Sequence, residues 1–419
     1  MYALVRPSHL QGAIPAVASK SMAHRALVLA TFAYGRCDLV CNTTSDDIEA
    51  TKGCLATIWQ ATHGLLETSA DKPVILDCGE SGSTLRFLLP VTCALGIPAR
   101  FVCHGRLAKR PLAPLDEQLE QHGVSLAWEG DELATHGKLR GGTFDVAGNV
   151  SSQFVTGLLL AAPLLDEPCE VRVETPVESR PYIDLTLRAL EQFGQHVDVD
   201  TVQDGDKAFE RFSVDPALLV APETYIVEGD WSNAAFWLAA GALEREGLTV
   251  TDLDLASAQG DRAVLAALSS FGTRIARKGD AARATRDAMR AATLDMSATP
   301  DLVPPLAAVA ATTPGLTRFT GVGRLRIKES DRLASVTAAI QALGGHAHAS
   351  VDSLVIEGVD RLRGGKVNAQ NDHRIAMMAA VMATHAVNAV TIIGAECVAK
   401  SYPTFWDDYA TLGGKVALD

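Results

Sequence analysis

Asp372-His-Arg-Ile-Ala-Met-Met-Ala-Ala-Val-Met-Ala-Thr-His385 opens on a polar turn and then runs as a helix with no Asp, Glu, Lys or Arg. A helix that is apolar all round belongs inside a protein. The same design recurs along the chain. It starts at Ser19-Lys-Ser-Met-Ala-His-Arg25 and runs to Phe32, and again from Gly82-Ser-Thr-Leu-Arg86 to Leu95. Further copies run from Ser151-Ser-Gln153 to Leu165, from Trp231-Ser-Asn233 to Leu243, and from Thr299-Pro-Asp301 to Thr312. Successive copies lie roughly 60 to 80 residues apart, in or above the range that marks repeated supersecondary units.

Each buried-type helix is followed by a more amphipathic one. These are Asp46–Trp59, Leu112–His122, Tyr182–Phe193, Arg262–Phe271, Glu329–Leu343 and Pro403–Leu412. Gly123, Gly194, Gly272, Gly344 and Gly413 stand where helices commonly stop. Short β-branched or alternating runs read as strands at Val74–Leu76, Arg100–Cys103, Glu170–Val173, Leu248–Asp252, Ser353–Ile356 and Val390–Ile393. Asp204–Arg211 and Lys278–Arg290 read as loops. The sum is an α/β chain of six units, each with strands and two helices. The first three fill residues 15–223. The last three fill 224–419; Met1–Gly12 reads as a strand that could belong to either half, and residues 1–14 are placed with the second.

The length of 419 residues calls for two or more domains. With 47% hydrophobic and 21% charged residues, the chain reads as a globular protein with an ample core. A net charge of −13 speaks against a general nucleic-acid or anionic-membrane binder, because no long-range positive field is available. Any anionic ligand must be held by a local group of cations. None of the eight cysteines forms a C-x-x-C pair, so reduced, buried thiols are expected rather than a metal site or disulfides. Met1–Gln11 lacks the pattern of a signal peptide, and no apolar run is long enough to span a bilayer, so a cytoplasmic protein is expected.

The buried helices would carry their N-termini to one face of each half, and helix N-termini bind anions. Lys20, Ser21, Arg25, Ser83, Arg86, Ser151, Ser152, Gln153, His373 and Arg374 stand at those starts. One further stretch is unusual. Arg324-Leu-Arg-Ile-Lys-Glu-Ser-Asp-Arg-Leu333 puts four cations and two carboxylates into ten residues. A helix starting near Lys328 would place Lys328 and Arg332 on one face. Cations there oppose the helix dipole, so a negative group is expected beside them. The plainer alternative for each helix start is a Ser, Asp or Gly that only caps. For the charged stretch it is a solvated first turn.

At these residues the chain resembles the 5-enolpyruvylshikimate-3-phosphate synthase family of carboxyvinyl transferases. The motifs that carry the resemblance are Ser19–Leu27, Glu80-Ser-Gly-Ser-Thr-Leu-Arg86, Lys109-Arg-Pro111, Ser151-Ser-Gln153 and Glu178-Ser-Arg-Pro-Tyr182. Ile327-Lys-Glu-Ser-Asp-Arg-Leu333, Asn371-Asp-His-Arg374 and Lys400-Ser-Tyr-Pro403 complete the set in the family's order. The resemblance implies a two-domain inside-out α/β barrel, each domain three βαβαββ repeats around buried parallel helices, with the active site in the cleft between them. It implies transfer of the enolpyruvyl group of phosphoenolpyruvate to the 5-hydroxyl of shikimate 3-phosphate through a tetrahedral intermediate. No cofactor and no metal are implied, and a monomer is expected.

The resemblance also implies roles. Asp301 would be the general base, Glu329 the acid toward the methylene carbon, and Lys20 an aid to proton traffic. Lys20, Ser21, Arg25, Ser151, Ser152, Gln153, Ser179, Tyr182, Asp301, Arg324 and Lys328 would meet shikimate 3-phosphate. Lys20, Gly82, Arg110, Gln153, Arg332, His373, Arg374 and Lys400 would meet phosphoenolpyruvate, Gly82 by leaving room for close approach. Asp301 as a mere helix cap, His373 as a partner of Asp372 and Arg86 as a brace remain the alternatives. Two positions depart from the common pattern: many relatives have Asn at Glu80 and at Arg324. UDP-N-acetylglucosamine enolpyruvyl transferases are the nearest rival, but they carry a Cys in the loop ahead of the matching Arg-Pro, here His104–Lys109. A non-catalytic anion-binding scaffold of the same fold is the rival of another class.

Overall fold

The computed structural model describes all 419 residues, and the chain forms two compact units. One comprises Lys20–Asn42 and Asp46–Val227; the other comprises Met1–Ser19, Thr43–Ser45 and Glu228–Asp419. The first holds helices α1 (Lys20–Phe32), α2 (Asp46–Thr62), α3 (Gly82–Ala94), α4 (Leu115–Gln121), α5 (Ser152–Ala161) and α6 (Arg180–Gln192). The second holds α7 (Trp231–Leu243), α8 (Val264–Ser270), α9 (Val303–Ala310), α10 (Arg332–Ala342), α11 (His373–Thr384) and α12 (Phe405–Thr411).

The odd-numbered helices are the apolar ones, and several are plainly crossovers between parallel strands. Val74–Asp77 pairs in parallel with Ala99–Val102 on either side of α3. Gly142–Val146 and Cys169–Glu174 do the same around α5, Thr293–Asp295 and Gly315–Thr320 around α9, and Gly365–Asn368 and Val390–Ile393 around α11. A parallel pair needs a connection of a dozen residues or so, and a helix supplies it. Antiparallel strands extend these four pairs, and the parallel pair Gly12–Pro15 with Leu248–Thr251, into five four-stranded sheets, and Asp38–Val40 with Thr224–Ile226 makes a two-stranded sixth. Each helix must cover its sheet on one side and meet the other crossover helices on the other, which is why α9 and α11 have every residue buried.

Close helix approach is written into small residues. A side-chain carbon on Gly157 of α5 would stand 2.1 Å from the Arg86 carbonyl of α3, so only glycine permits this crossing. In the second unit the α7 ring system anchors the core. Trp237 stacks on Phe405 with ring centres 5.0 Å apart and donates to the Tyr402 hydroxyl at 3.0 Å. Along the outer helix α6 the inward set is Ile183, Leu185, Thr186, Ala189 and Leu190, one stripe of a 3.6-residue repeat. The five glycines read as helix stops all take the left-handed backbone, with φ between 81° and 98°.

Four readings of the sequence need correction. Lys278–Arg290 is not a loop throughout: Ala281–Thr285 is a strand whose Ala282 and Ala284 point inward. Alanine alternation is too weakly apolar to show in a sequence. Asp204–Arg211 is not a loop: Gly205 and Asp206 alone make a hairpin turn between the strands Asp198–Asp204 and Lys207–Val214. The first of those strands is largely exposed and so lacks an apolar face. Helix α1 is only half-buried, unlike the other crossover-type helices. Finally, no helix begins near Lys328. Gly323–Ile327 is a 3-10 turn, Lys328 is extended, and α10 starts at Arg332 because Asp331 accepts the Ala334 N–H and caps it. Lys328 and Arg332 therefore do not share a helical face. No helix is long and apolar enough to cross a membrane.

Candidate active site

In the α1–α6 unit the helix starts gather polar side chains, as their parallel packing requires. Ser81 accepts the Thr84 N–H to cap α3, and Ser151 accepts the Gln153 N–H to cap α5. Gln153 then joins the two helices: its amide donates to Ser83 Oγ at 3.0 Å and its carbonyl takes Arg86 Nη1 at 2.8 Å. Arg86 also donates to the Pro111 carbonyl at 3.2 Å, so it does brace this region. Ser152 opens α5 beside them. Ser179 is buried in the left-handed region, with φ 55°, at the start of α6, and Tyr182 lies in that helix's first turn.

Lys20 forms an ion pair with Asp47 at 2.6 Å. Behind it runs a buried chain of hydroxyls. His24 Nδ1 meets Thr51 Oγ1 at 2.7 Å, Thr51 meets Thr84 at 2.6 Å, and Thr84 donates to Ser81 at 2.7 Å. Burial, with Lys20 and Arg25 adding to it, holds His24 neutral by pulling its pKa well below the usual value. Arg25 is almost fully committed to the fold. It donates to Thr186 at 2.9 Å, to the Ser21 and Tyr182 carbonyls at 2.5 and 2.8 Å, and to Thr156 at 3.2 Å. Burial lowers its pKa to about 10. Arg110 is the opposite case: its Nε is buried without a hydrogen-bond partner, and its guanidinium lies against Gly82. A methyl on Gly82 would meet Arg110 Nη1 at 2.6 Å and Arg86 Nη1 at 2.7 Å. Gly82 is thus the floor on which two guanidiniums rest.

The α7–α12 unit holds a denser cluster. Asp301, in the 3-10 turn Pro300–Leu302 that leads into α9, receives three cations. Arg332 Nη1 lies 2.9 Å from it, Arg374 Nη2 3.1 Å and Lys328 Nζ 3.4 Å. Arg332 is buried and also reaches Glu329 and Asp372, the latter through Nε to Oδ2 at 2.9 Å and Nη2 to Oδ1 at 3.2 Å. Asp372 in turn caps α11 by accepting the Arg374 N–H at 3.0 Å and takes the Ser330 hydroxyl at 3.0 Å. Lys400 donates to the Asn371 carbonyl at 2.7 Å, His373 is buried at the start of α11, and Arg324 donates to the Ser297 carbonyl at 2.6 Å.

The negative group expected beside the Arg324–Leu333 cations is therefore the protein itself. Lys328, Arg332 and Arg374 face Asp301, Glu329 and Asp372, three charges against three. Burial alone would raise the Asp301 pKa, but Arg374, Lys328 and Arg332 together hold it far below the carboxylate range. Burial lowers Lys328, with Asp301 opposing. A second carboxylate sits close by. Asp261 is buried, bonded to the Ser232 hydroxyl at the start of α7, and raised to about 6 by burial and by Asp301.

Asp47, Asp261 and Asp372 escaped sequence reasoning as site residues. Asp372 was legible only as a helix cap, since nothing in the chain tells that its two oxygens also hold an arginine forty residues earlier. Asp47 opens an amphipathic helix as many capping acids do.

A model of EPSP synthase (3-phosphoshikimate 1-carboxyvinyltransferase) matches residues 4–409. The chain belongs to the EPSP synthase family. Among its relatives, the 3-phosphoshikimate 1-carboxyvinyltransferase of Clostridium kluyveri is 36% identical, over 99% of this chain and 98% of that protein. The enzyme of the same name from Clostridium perfringens is 38% identical over 98% of both. Among solved structures, an EPSP synthase from Acinetobacter baumannii superposes with a TM-score of 0.75 at 23% identity, over the full length of both chains. The enolpyruvyl transferase NikO from Streptomyces tendae gives 0.72 at 17% identity, over 99% of this chain and 98% of its own. At these identities the two structures speak for the fold. The EPSP synthase fold accounts for the recurrence of crossover helices along the chain.

Proposed function

We propose that the chain transfers the enolpyruvyl group of phosphoenolpyruvate to the 5-hydroxyl of shikimate 3-phosphate and releases phosphate. The observation that carries the reading is the cluster of Asp301, Glu329, Lys328, Arg332 and Arg374 within a chain that matches the EPSP synthase family nearly end to end. Phosphoenolpyruvate brings a phosphate and a carboxylate, and Arg332, Arg374 and Lys400 would take them, while the family motifs add Arg110 and Lys20 to that set. Arginine suits both groups because its donors match two oxygens at once. Ser151, Ser152, Ser179, Gln153 and Tyr182, with Ser21 and Lys328, would hold shikimate 3-phosphate. Arg25, committed to helix carbonyls and hydroxyls, would act mainly by fixing Ser21 and Tyr182.

The substrate's anions would displace Asp301 and Glu329 from Arg332 and Arg374. Asp301, released from its cations, accepts the proton of the 5-hydroxyl as the oxygen attacks C2. Glu329, freed from Arg332 and protonated from solvent, donates that proton to C3, giving the tetrahedral intermediate. In the second stage C3 returns that proton to Glu329, the C2–O bond to phosphate breaks, and the leaving phosphate takes the proton held on Asp301. Cations around both stages offset the developing charge.

Phosphate release with phosphoenolpyruvate, measured separately with shikimate 3-phosphate and with UDP-N-acetylglucosamine, tests the reading. Release is expected only with the first acceptor, and release with the second alone would overturn it. Glu329→Gln should keep both KM values within a few-fold and lower kcat by about 10²–10⁴, the usual worth of a positioned acid. A rate equal to wild type would remove Glu329 from that role. Gly82→Ala should raise the KM for phosphoenolpyruvate roughly tenfold, since shifting a guanidinium off its anion costs about 1.4 kcal/mol. An unchanged KM would show that Arg110 need not lie where it does.

A further inference from the structure

We infer that His24 and Thr51 are positioning residues: through a one-way chain of buried hydrogen bonds they fix the start of α3, and with it the seat of phosphoenolpyruvate at Gly82. The inference rests on the reading that Gly82, Arg110 and Lys20 meet this substrate. Its ground is a set of side chains that no step of the reaction uses. His24, Thr51, Thr84 and Ser81 are each no more than 1% exposed. They come from α1, from α2 and from the capped start of α3.

The hydrogens of this chain all run one way. A hydroxyl has a single hydrogen to give. Thr84 gives its own to Ser81 Oγ at 2.7 Å, sharing it with the Asp47 carbonyl at 3.4 Å. Toward Thr51, at 2.6 Å, Thr84 therefore accepts. Thr51 then has no hydrogen left for His24, so in the contact at 2.7 Å it is the His24 Nδ1–H that donates to Thr51 Oγ1. Burial, with Lys20 and Arg25 adding to it, keeps the ring neutral, so Nε2 carries no hydrogen. That agrees with its surroundings: Nε2 is buried and meets no acceptor, and an N–H there would be orphaned.

The chain lies directly behind the proposed substrate contacts. Two rungs join α1 to α2. Lys20 pairs with Asp47 at 2.6 Å, and His24 meets Thr51 one turn further along each helix. The chain then crosses to α3, where Ser81 also accepts the Thr84 N–H at 3.2 Å as the cap. Gly82 follows at once. A side-chain carbon there would lie 2.6 Å from Arg110 Nη1 and 2.7 Å from Arg86 Nη1, so even a small shift at the start of α3 moves the floor under both guanidiniums. Apolar side chains of the same size would pack these helices without burying polar groups. A satisfied buried network instead holds one arrangement, because each displaced link leaves a donor or an acceptor unpaired.

The test compares KM and kcat in the wild type, Thr51→Val and Thr51→Ser, with shikimate 3-phosphate saturating. Valine keeps the shape of threonine but cuts the chain at its centre, leaving the His24 N–H without an acceptor and Thr84 without a donor. The KM for phosphoenolpyruvate should rise about tenfold, which is about 1.4 kcal/mol of binding. The kcat should stay within about threefold of wild type, the pattern of lost substrate binding. Serine restores the hydroxyl and should bring KM back to within about threefold of wild type. A merely structural role would lower stability and leave the KM of the folded protein unchanged. That result overturns the inference, as does a serine variant as impaired as the valine one. Should Thr51→Val not fold, the nitrogen NMR signals of the wild-type His24 ring decide. Hydrogen on Nδ1 alone is expected at neutral pH, and hydrogen on Nε2, with or without Nδ1, overturns the inference. Each of these results leaves the transferase reading intact. No turnover of phosphoenolpyruvate and shikimate 3-phosphate by the wild type overturns both.

Discussion

Asp301→Asn should lower kcat by about 10²–10⁴ at saturating substrates, the range for losing a general base. Asparagine keeps the shape and can still accept from one arginine, but it cannot take the 5-hydroxyl proton. The change also alters the resting site. Arg332, Arg374 and Lys328 all lie on Asp301, so removing its charge leaves three cations against Glu329 and Asp372 alone. The variant should bind inorganic phosphate or phosphoenolpyruvate more tightly than the wild type, since the internal competitor is gone. A fall in kcat joined to a fall in KM is the signature of a base that also occupies the substrate's place. A kcat within tenfold of wild type would show that another group accepts the proton.

The same residue ties stability to pH, and the sign can be worked out. Its folded pKa lies below that of the unfolded chain, about 3.9. The stability from its ion pairs is fully present above about pH 4 and drains away as pH falls toward the folded value. Asp261 works in the other direction. Its folded pKa, about 6, lies above the unfolded one, so it lowers stability progressively as pH rises from about 4 to 6 and by a constant amount above that. One site thus contains a carboxylate that stabilises the fold at neutral pH and another that strains it. The second is the kind of group a binding site tolerates for its function.

The contrast also explains what could be read from the chain. Crossover helices such as Asp372–His385 announce themselves because burial on all sides leaves no room for charge, and that constraint acts residue by residue. Val390–Ile393 was read to its final residue because a buried parallel strand is equally constrained. The exposed strand Asp198–Asp204 was lost because solvent sets no pattern on it. Of the proposed site residues, Lys20, Gln153, Arg332 and Arg374 stand in sequence motifs, and four or five unusual residues together are informative. Their partners are not. Asp47, Asp261 and Asp372 are single acids at helix starts or turns, where acids are common for local reasons. Which cation each one meets is decided by the packing of helices far apart in sequence. The start of α10 was misplaced for a related reason. Lys328 and Glu329 suit a first helical turn by composition, but they are drawn out to Asp301 and Arg332, and Asp331 caps the helix after them.

Asp372→Asn should destabilise the α7–α12 unit by about 3–5 kcal/mol, the cost of leaving one partner of a buried ion pair uncompensated. The substitution isolates charge from capping. Asparagine caps a helix as well as aspartate does, so the bond from the Arg374 N–H can persist. With its amide oxygen kept at the Oδ1 place to cap, it can still accept from Arg332 Nη2, but the Oδ2 place becomes an NH₂ that faces Arg332 Nε. Arg332, fully buried and held charged by Asp372, Glu329 and Asp301 against its own desolvation, then loses the anion that favours its charge most. Asp331→Asn is the matching control. Asp331 also caps a helix and lies 3.4 Å from an arginine, Arg326, but both side chains are 39% exposed. That change should cost no more than about 1 kcal/mol, because water screens the pair. Denaturant unfolding of the two variants, followed by tryptophan fluorescence, reads the difference, since Trp231 and Trp237 are buried in the same unit. Equal losses in the two variants would mean that Asp372 acts only as a cap, and that Arg332 is oriented by Asp301 and Glu329 without it.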